Sequence, residues 1–226
     1  MVLSKNMQKL VAGSSTIRKL FEEGIELAKE VGAENVYDFS LGNPAAPVPE
    51  EVKKSIYDIL ENRNANFVHC YMPNAGYPEV REKVAANLNK KYNSSFTKDD
   101  IIMTVGAAGG INCVLRSLLE PEDEVLCFAP FFGEYNSYVM NFGGNLKVVP
   151  ADYETFQLNV EEADKYITER TKAVIINNPN NPSGSLMDKI GLINIVNIAK
   201  VAGAYILCDE MDRGAKAAGV KRIRIH

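Results

Sequence analysis

One stretch constrains this chain more than any other. Asn177-Asn178-Pro179-Asn180-Asn181-Pro182-Ser183-Gly184 follows directly on the apolar, β-branched run Ala173-Val174-Ile175-Ile176. The run reads as a buried strand. The loop ends it at once, because proline removes a backbone donor and fixes φ, while asparagine and glycine admit turn conformations. Open α/β sheets bind ligands in loops at the carboxyl ends of their strands. Asparagine amides both donate and accept, so such a loop is equipped to read an oxygen on a bound ring. The plain alternative is a rigid connection from strand to helix.

The flanking sequence repeats the same grammar. Ile101–Val105, Glu124–Phe128, Asn145–Val149, Ala173–Asn177 and Ala204–Cys208 read as strands, and 107–119, 132–142, 160–168 and 188–202 as helices between them. Strands alternating with helices imply right-handed crossovers and a mainly parallel sheet, an α/β fold of three layers, αβα. Before this core, residues 4–31 read as a polar lead-in and then an amphipathic helix. Ile17, Leu20, Phe21, Ile25 and Leu27-Ala28 mark the helix, which Ser14 or Ser15 would cap. Val36–Leu41 reads as extended and runs into Gly42-Asn43-Pro44. A helix starting at Pro49 carries Val52, Ile56 and Ile59-Leu60, a loop spans 62–78, and Val80, Val84 and Leu88 mark the next helix. This division makes residues 1–50 an arm, 51–212 the main domain and 213–226 a tail.

Composition narrows the partners. With a net charge of −4 and 24% charged residues, nothing favours nucleic acid or an anionic membrane surface. No apolar run approaches the roughly 20 residues that span a bilayer. Cys70, Cys113, Cys127 and Cys208 lack metal or redox spacing and read as reduced thiols of a cytoplasmic protein. His69 and His226 are the only histidines, so no metal site is expected.

Four strand ends carry chemistry. Thr104-Val105-Gly106-Ala107-Ala108-Gly109-Gly110 is a small-residue turn opening a helix, where free N–H groups and the helix dipole favour a phosphate; it is neither GxGxxG nor a Walker loop. Pro130-Phe131-Phe132, with Tyr135 a helical turn on, places an aromatic ring that could stack on a planar ligand or simply fill the core. Asp209-Glu210 ends the last strand, and a buried carboxylate requires a positive partner unless it is a surface acid or a cap. With the asparagine loop these describe a site for a flat, phosphorylated, cationic heterocycle, a description that pyridoxal phosphate fits.

On those residues the sequence resembles the large-domain half of the class I/II aminotransferases, the fold-type-I pyridoxal-phosphate enzymes, from about Ser15 to Asp209. Asn178-Pro179-Asn180-Asn181-Pro182-Ser183-Gly184 is close to the family's Asn-Pro-Asn-Asn-Pro-Thr-Gly. The resemblance implies that Asn181 bonds the cofactor's ring hydroxyl, Asp209 holds the pyridine nitrogen protonated, Phe132 stacks on the ring, and Ala107 and Ala108 offer N–H groups to the phosphate. Tyr71, in Tyr71-Met72-Pro73-Asn74-Ala75-Gly76, is similar to the tyrosine that reaches the phosphate of the neighbouring subunit in a homodimer. Gly42 resembles the loop near the substrate carboxylate. The implied activity is amino-group transfer from an amino acid to a 2-oxo acid, in a branch most like the bacterial aspartate or alanine enzymes.

The sequence also departs from that pattern. Asp212 stands where the family has a tyrosine, in Asp209-Glu210-Met211-Asp212. No Ser-x-Ser-Lys occurs, and Lys216 and Lys221 match neither the spacing nor the context of the Schiff-base lysine. The expectation is therefore a C-terminally truncated large domain without that lysine, the last sheet strands or the small domain. It would be inactive alone and would bind cofactor weakly or non-covalently. Alternatives are a non-enzymatic remnant, a split half that pairs with a complementary fragment, and a carbon–sulfur lyase of the same fold. The tail alternates Val220, Arg222 and Arg224 with Lys221, Ile223 and Ile225, compatible with a short strand or with an irregular basic segment. Without the missing strands, Ile101–Val105 has no neighbour and Ala204–Cys208 a bare edge, which lowers stability and invites pairing.

Overall fold

The computed structural model describes residues 3–12, 16–39, 47–152, 154, 159–210 and 223–225. The chain divides into two compact units, Met1–Met72 and Pro73–His226. In the first, the helices are α1 (Lys5–Ala12), α2 (Thr16–Val31), α3 (Glu50–Asn62) and α4 (Ala65–Val68). The segment expected as a polar lead-in is thus helical as α1, and the expected 62–78 loop contains α4, whose start is capped by Asn64 accepting from the Asn66 N–H. Pro49 is the N-cap of α3 rather than part of its first turn. Val36 is extended, but residues 36–39 belong to no strand. Ser14, Ser15 and Gly42 lie outside the described residues.

The second unit holds α5 (Pro78–Tyr92), α6 (Gly106–Leu118), β1 (Glu124–Phe128), α7 (Glu134–Met140), β2 (Asn145–Val149), β3 (Thr171–Asn177), α8 (Lys189–Ala202), β4 (Tyr205–Asp209) and β5 (Ile223–Ile225). The strands form one sheet in the order β2-β1-β3-β4-β5, every pair parallel. Both faces are covered, as a parallel sheet with helical crossovers requires. Because side chains alternate along a strand, Val125, Cys127, Ala173, Ile175 and Leu207 pack on one face with Ile111 and Leu115 of α6 and Val139 of α7. Leu126, Phe128, Val174, Ile176 and Cys208 pack on the other with Ile195 and Ala199 of α8. All five residues of β1 are buried, the mark of a central strand.

Three expectations change. Ile101–Val105 is not a strand. Its Met103 N–H donates to Ala75 O, but Ile102 and Val105 are 70% and 96% exposed, and strand-forming residues alone cannot make a ladder without a neighbour. The 160–168 segment is a 3-10 turn over Val160–Lys165, and the helix expected at 132–142 is only α7, with Phe132 and Gly133 in the turn before it. The tail contributes a strand: β5 pairs with β4 at Leu207↔Ile223, Cys208↔Arg224 and Asp209↔Ile225, so the edge expected to be bare is covered there.

Candidate cofactor site

The carboxyl ends of β1, β3 and β4 meet at one side of the sheet. Asn177 and Asp209 are register partners, and the Asn178 N–H donates to the Asp209 carbonyl at 3.3 Å. From the β1 end, the Pro130 carbonyl accepts from Asn180 Nδ2 at 3.0 Å. That bond ties the asparagine loop to the turn carrying Phe132.

The asparagines divide into two kinds. Asn178 and Asn180 are buried and hold the loop itself. Asn178 Oδ1 accepts from the Met187 N–H at 3.0 Å, and Asn180 Oδ1 accepts from the Ser183 N–H at 3.2 Å and its hydroxyl at 2.9 Å. Asn181 is exposed, and its amide bonds no other described residue.

Asp209 is 6% exposed. Its Oδ2 accepts a 2.6 Å hydrogen bond from the Tyr135 hydroxyl, whereas its buried Oδ1 has no partner among the described residues. Burial, the hydrogen bond to Asp209 and that carboxylate's charge all push the Tyr135 phenol well above the usual tyrosine range, so it remains a donor. Tyr138 is raised as well, by burial first and then by the charges of Glu134 and Asp209. The Phe132 ring meets Tyr135 edge-on, with centroids 5.6 Å apart and planes at 83°. Tyr135 was not among the residues expected to serve the site. A tyrosine one helical turn past Phe132, buried by its helix, needs a partner for its hydroxyl, and that signal could have found it.

The small-residue turn opens a helix, as expected, but follows no strand. Gly106 has a φ of +69°, donates its N–H to Thr104 O and opens α6, which has no side-chain cap. Ala107 and Ala108 stand in the first turn, where a helix leaves its N–H groups without intrahelical acceptors. Ala107 belongs to the same core cluster as Tyr135, Cys127 and Leu207, with Phe132 packed against it. Ala107, Phe132 and, through the Tyr135 hydroxyl, Asp209 thus adjoin one packed cluster. Tyr71 is fully exposed and lies in the first unit. An open groove of about 700 Å³ beside Ile167, Asn197 and Val201 lies at the opposite, amino end of β3 and gathers no such set of groups.

A carboxylate with one oxygen held and one unpartnered fits a protonated heterocyclic nitrogen, and an uncapped helix start fits a phosphate. The family model for aminotransferase class I and II matches residues 33–211, and the chain belongs to that family. Among curated relatives it is 36% identical over 228 residues to aromatic-amino-acid aminotransferase 2 of Thermococcus litoralis, covering 100% of this chain and 55% of that one. It is 35% identical over 199 residues to the aspartate aminotransferase of Pyrococcus abyssi, covering 87% and 49%. A solved aminotransferase from Eubacterium rectale superposes with a TM-score of 0.86 at 35% identity, over 96% of this chain and 58% of that one. The chain spans about half the length of the curated relatives it matches.

Among the described residues no helix is long and apolar enough to cross a membrane, and no group of three or more His, Cys, Asp or Glu could hold a metal ion.

Proposed function

We propose that this chain supplies the cofactor-binding half of a cytoplasmic aminotransferase that moves an amino group from an amino acid to a 2-oxo acid, with pyridoxal phosphate as cofactor. The observation that carries the reading is the buried Asp209 carboxylate at the end of β4, held through one oxygen and unpartnered at the other. When bound, the cofactor supplies an electron sink for the carbanion formed at the substrate's Cα.

The chain's own residues prepare that site. Asp209 keeps the pyridine nitrogen protonated, and Phe132 covers one face of the ring and excludes water from it. The exposed Asn181 amide donates to the ring hydroxyl, and the Ala107 and Ala108 N–H groups hold the phosphate. Gly42 belongs to the loop that the family resemblance assigns to the substrate carboxylate. In a homodimer Tyr71 reaches the phosphate of the neighbouring subunit. Residues 51–212 form the cofactor-binding domain, residues 1–50 the arm and residues 213–226 a tail. None of the 226 residues is a lysine in a Ser-x-Ser-Lys context. We therefore take the cofactor as held non-covalently here, and the chain as not turning over alone.

The test is a titration of the purified chain with pyridoxal phosphate, followed by absorbance and equilibrium dialysis. Saturable binding that borohydride does not fix to the protein, and that Asp209→Ala weakens at least tenfold (about 1.4 kcal/mol), is expected. Binding that Asp209→Ala leaves unchanged refutes the site. Transamination of aspartate or phenylalanine above a buffer control refutes the proposal that the chain is inactive alone.

A further inference from the structure

The site contains a residue whose position depends on nothing bound. Tyr135 is 1% exposed and joins three parts of the pocket: its hydroxyl bonds Asp209 Oδ2 at 2.6 Å, its ring packs edge-on against Phe132, and its N–H donates to the Phe132 carbonyl at 3.1 Å. A carboxylate can accept at either oxygen. A donor fixed on one of them therefore decides which oxygen is left over and how the group is turned. Unlike a donor that titrates near neutrality, a buried phenol beside a carboxylate stays protonated, so its hold persists through the working range.

We propose that Tyr135 is a positioning residue of this site: its hydroxyl takes Asp209 Oδ2, leaves Oδ1 to the cofactor's ring nitrogen, and its ring sets the adjacent stacking residue Phe132. The proposal rests on the reading of the pocket as a pyridoxal-phosphate site. Tyr135 touches neither substrate nor cofactor in this scheme and acts through its neighbours. The Asp209 part of its effect must therefore depend on the ligand having a ring nitrogen.

That dependence separates positioning from mere packing. The dissociation constants of pyridoxal phosphate and of its 1-deaza analogue, in which a C–H replaces the ring nitrogen, are measured by titration calorimetry on wild type, Tyr135→Phe, Asp209→Asn and the double variant. Tyr135→Phe is expected to weaken pyridoxal phosphate about tenfold, the scale of one hydrogen bond to a charged group, and the analogue less than about threefold. In the Asp209→Asn background, removing the hydroxyl is expected to change pyridoxal phosphate affinity less than about twofold, because the group it acts through has already been altered. That second comparison stands even if Tyr135→Phe alone does not fold, since the double variant buries no carboxylate. Equal loss for both ligands, or a full tenfold further loss on Asp209→Asn, overturns the role of Tyr135 while leaving the cofactor site intact. Absence of saturable pyridoxal phosphate binding by the wild type overturns the site reading and this inference together.

Discussion

The Tyr135–Asp209 pair makes the cofactor-free chain less stable than its packing alone would allow. Tyr135→Phe removes a 2.6 Å charge-assisted bond and leaves a carboxylate that is 6% exposed with no donor on either oxygen. Such a bond contributes about 1.5–3 kcal/mol, and a buried unpaired acceptor costs a similar amount. Because Oδ1 already lacks a partner, the loss should sit near the upper end, about 3 kcal/mol. Asp209→Leu places two methyls where the oxygens were, and with Tyr135→Phe it removes both polar groups from an apolar cluster. Replacing both members of a buried pair by apolar groups of similar shape is near neutral or stabilising. The double variant should therefore unfold within about 1 kcal/mol of wild type, or above it, with a coupling energy of about 2 kcal/mol or more across the cycle. Urea unfolding of the cofactor-free chain, followed by circular dichroism at constant m-value, reads both quantities. A Tyr135→Phe midpoint within about 0.5 kcal/mol of wild type, or a double variant as unstable as the sum of the singles, would show that the carboxylate is not held by the phenol.

Two further outcomes follow from the same coordinates. Gly76 has a φ of +94°, and a Cβ there would lie 2.5 Å from Met103 Cγ and 2.7 Å from Met103 Cβ, whereas Gly106 has a φ of +69° with nothing within 4 Å; in urea unfolding Gly76→Ala should cost more than about 2 kcal/mol, and Gly106→Ala only the left-handed backbone penalty of about 1–2 kcal/mol. Burial raises the Cys127 thiol from 9.0 to about 12, so above pH 9 the unfolded chain holds fewer protons than the folded one. Stability present below pH 9 should then fall towards pH 12 by up to about 1.4 kcal/mol per pH unit from this group, and Cys127→Ala should flatten the slope of a urea-midpoint series by about one proton.

How much of this was legible in the sequence depended on what each residue needed from its neighbours. The strand cores of β1 and β3 could be read because their apolar runs are buried on both faces and declare themselves without context. Ile101–Val105 has the same residue types, yet Ile102 and Val105 are exposed and the segment makes no ladder; strand character there belongs to a pairing that composition cannot supply. Residues 160–168 and 132–142 were misjudged in type and length because short helices are decided by tertiary packing more than by periodicity. Asp209 ends β4 and Phe132 follows β1, as the strand-end reading expected, whereas Ala107 and Ala108 open α6 with no strand before them. Tyr135 and the division of the asparagines did not show, since sequence gives a side chain's capacity to bond but not which partner uses it.

That last distinction explains the character of the site. Asn178, Asn180 and Tyr135 have partners within the chain, and each partner is another part of the pocket: the Met187 N–H, the Pro130 carbonyl, the Asp209 carboxylate. Beyond them Asn181 is exposed, Asp209 Oδ1 has no partner among the described residues, and α6 opens without a side-chain cap. Folding alone would not favour leaving a buried carboxylate oxygen unpaired beside so many donors. Local rules broken inside an otherwise consistent fold mark a functional place. Here those places are a carboxylate oxygen without a partner, an exposed amide and a helix start without a side-chain cap, and their chemistry is complementary to a protonated heterocycle with a hydroxyl and a phosphate.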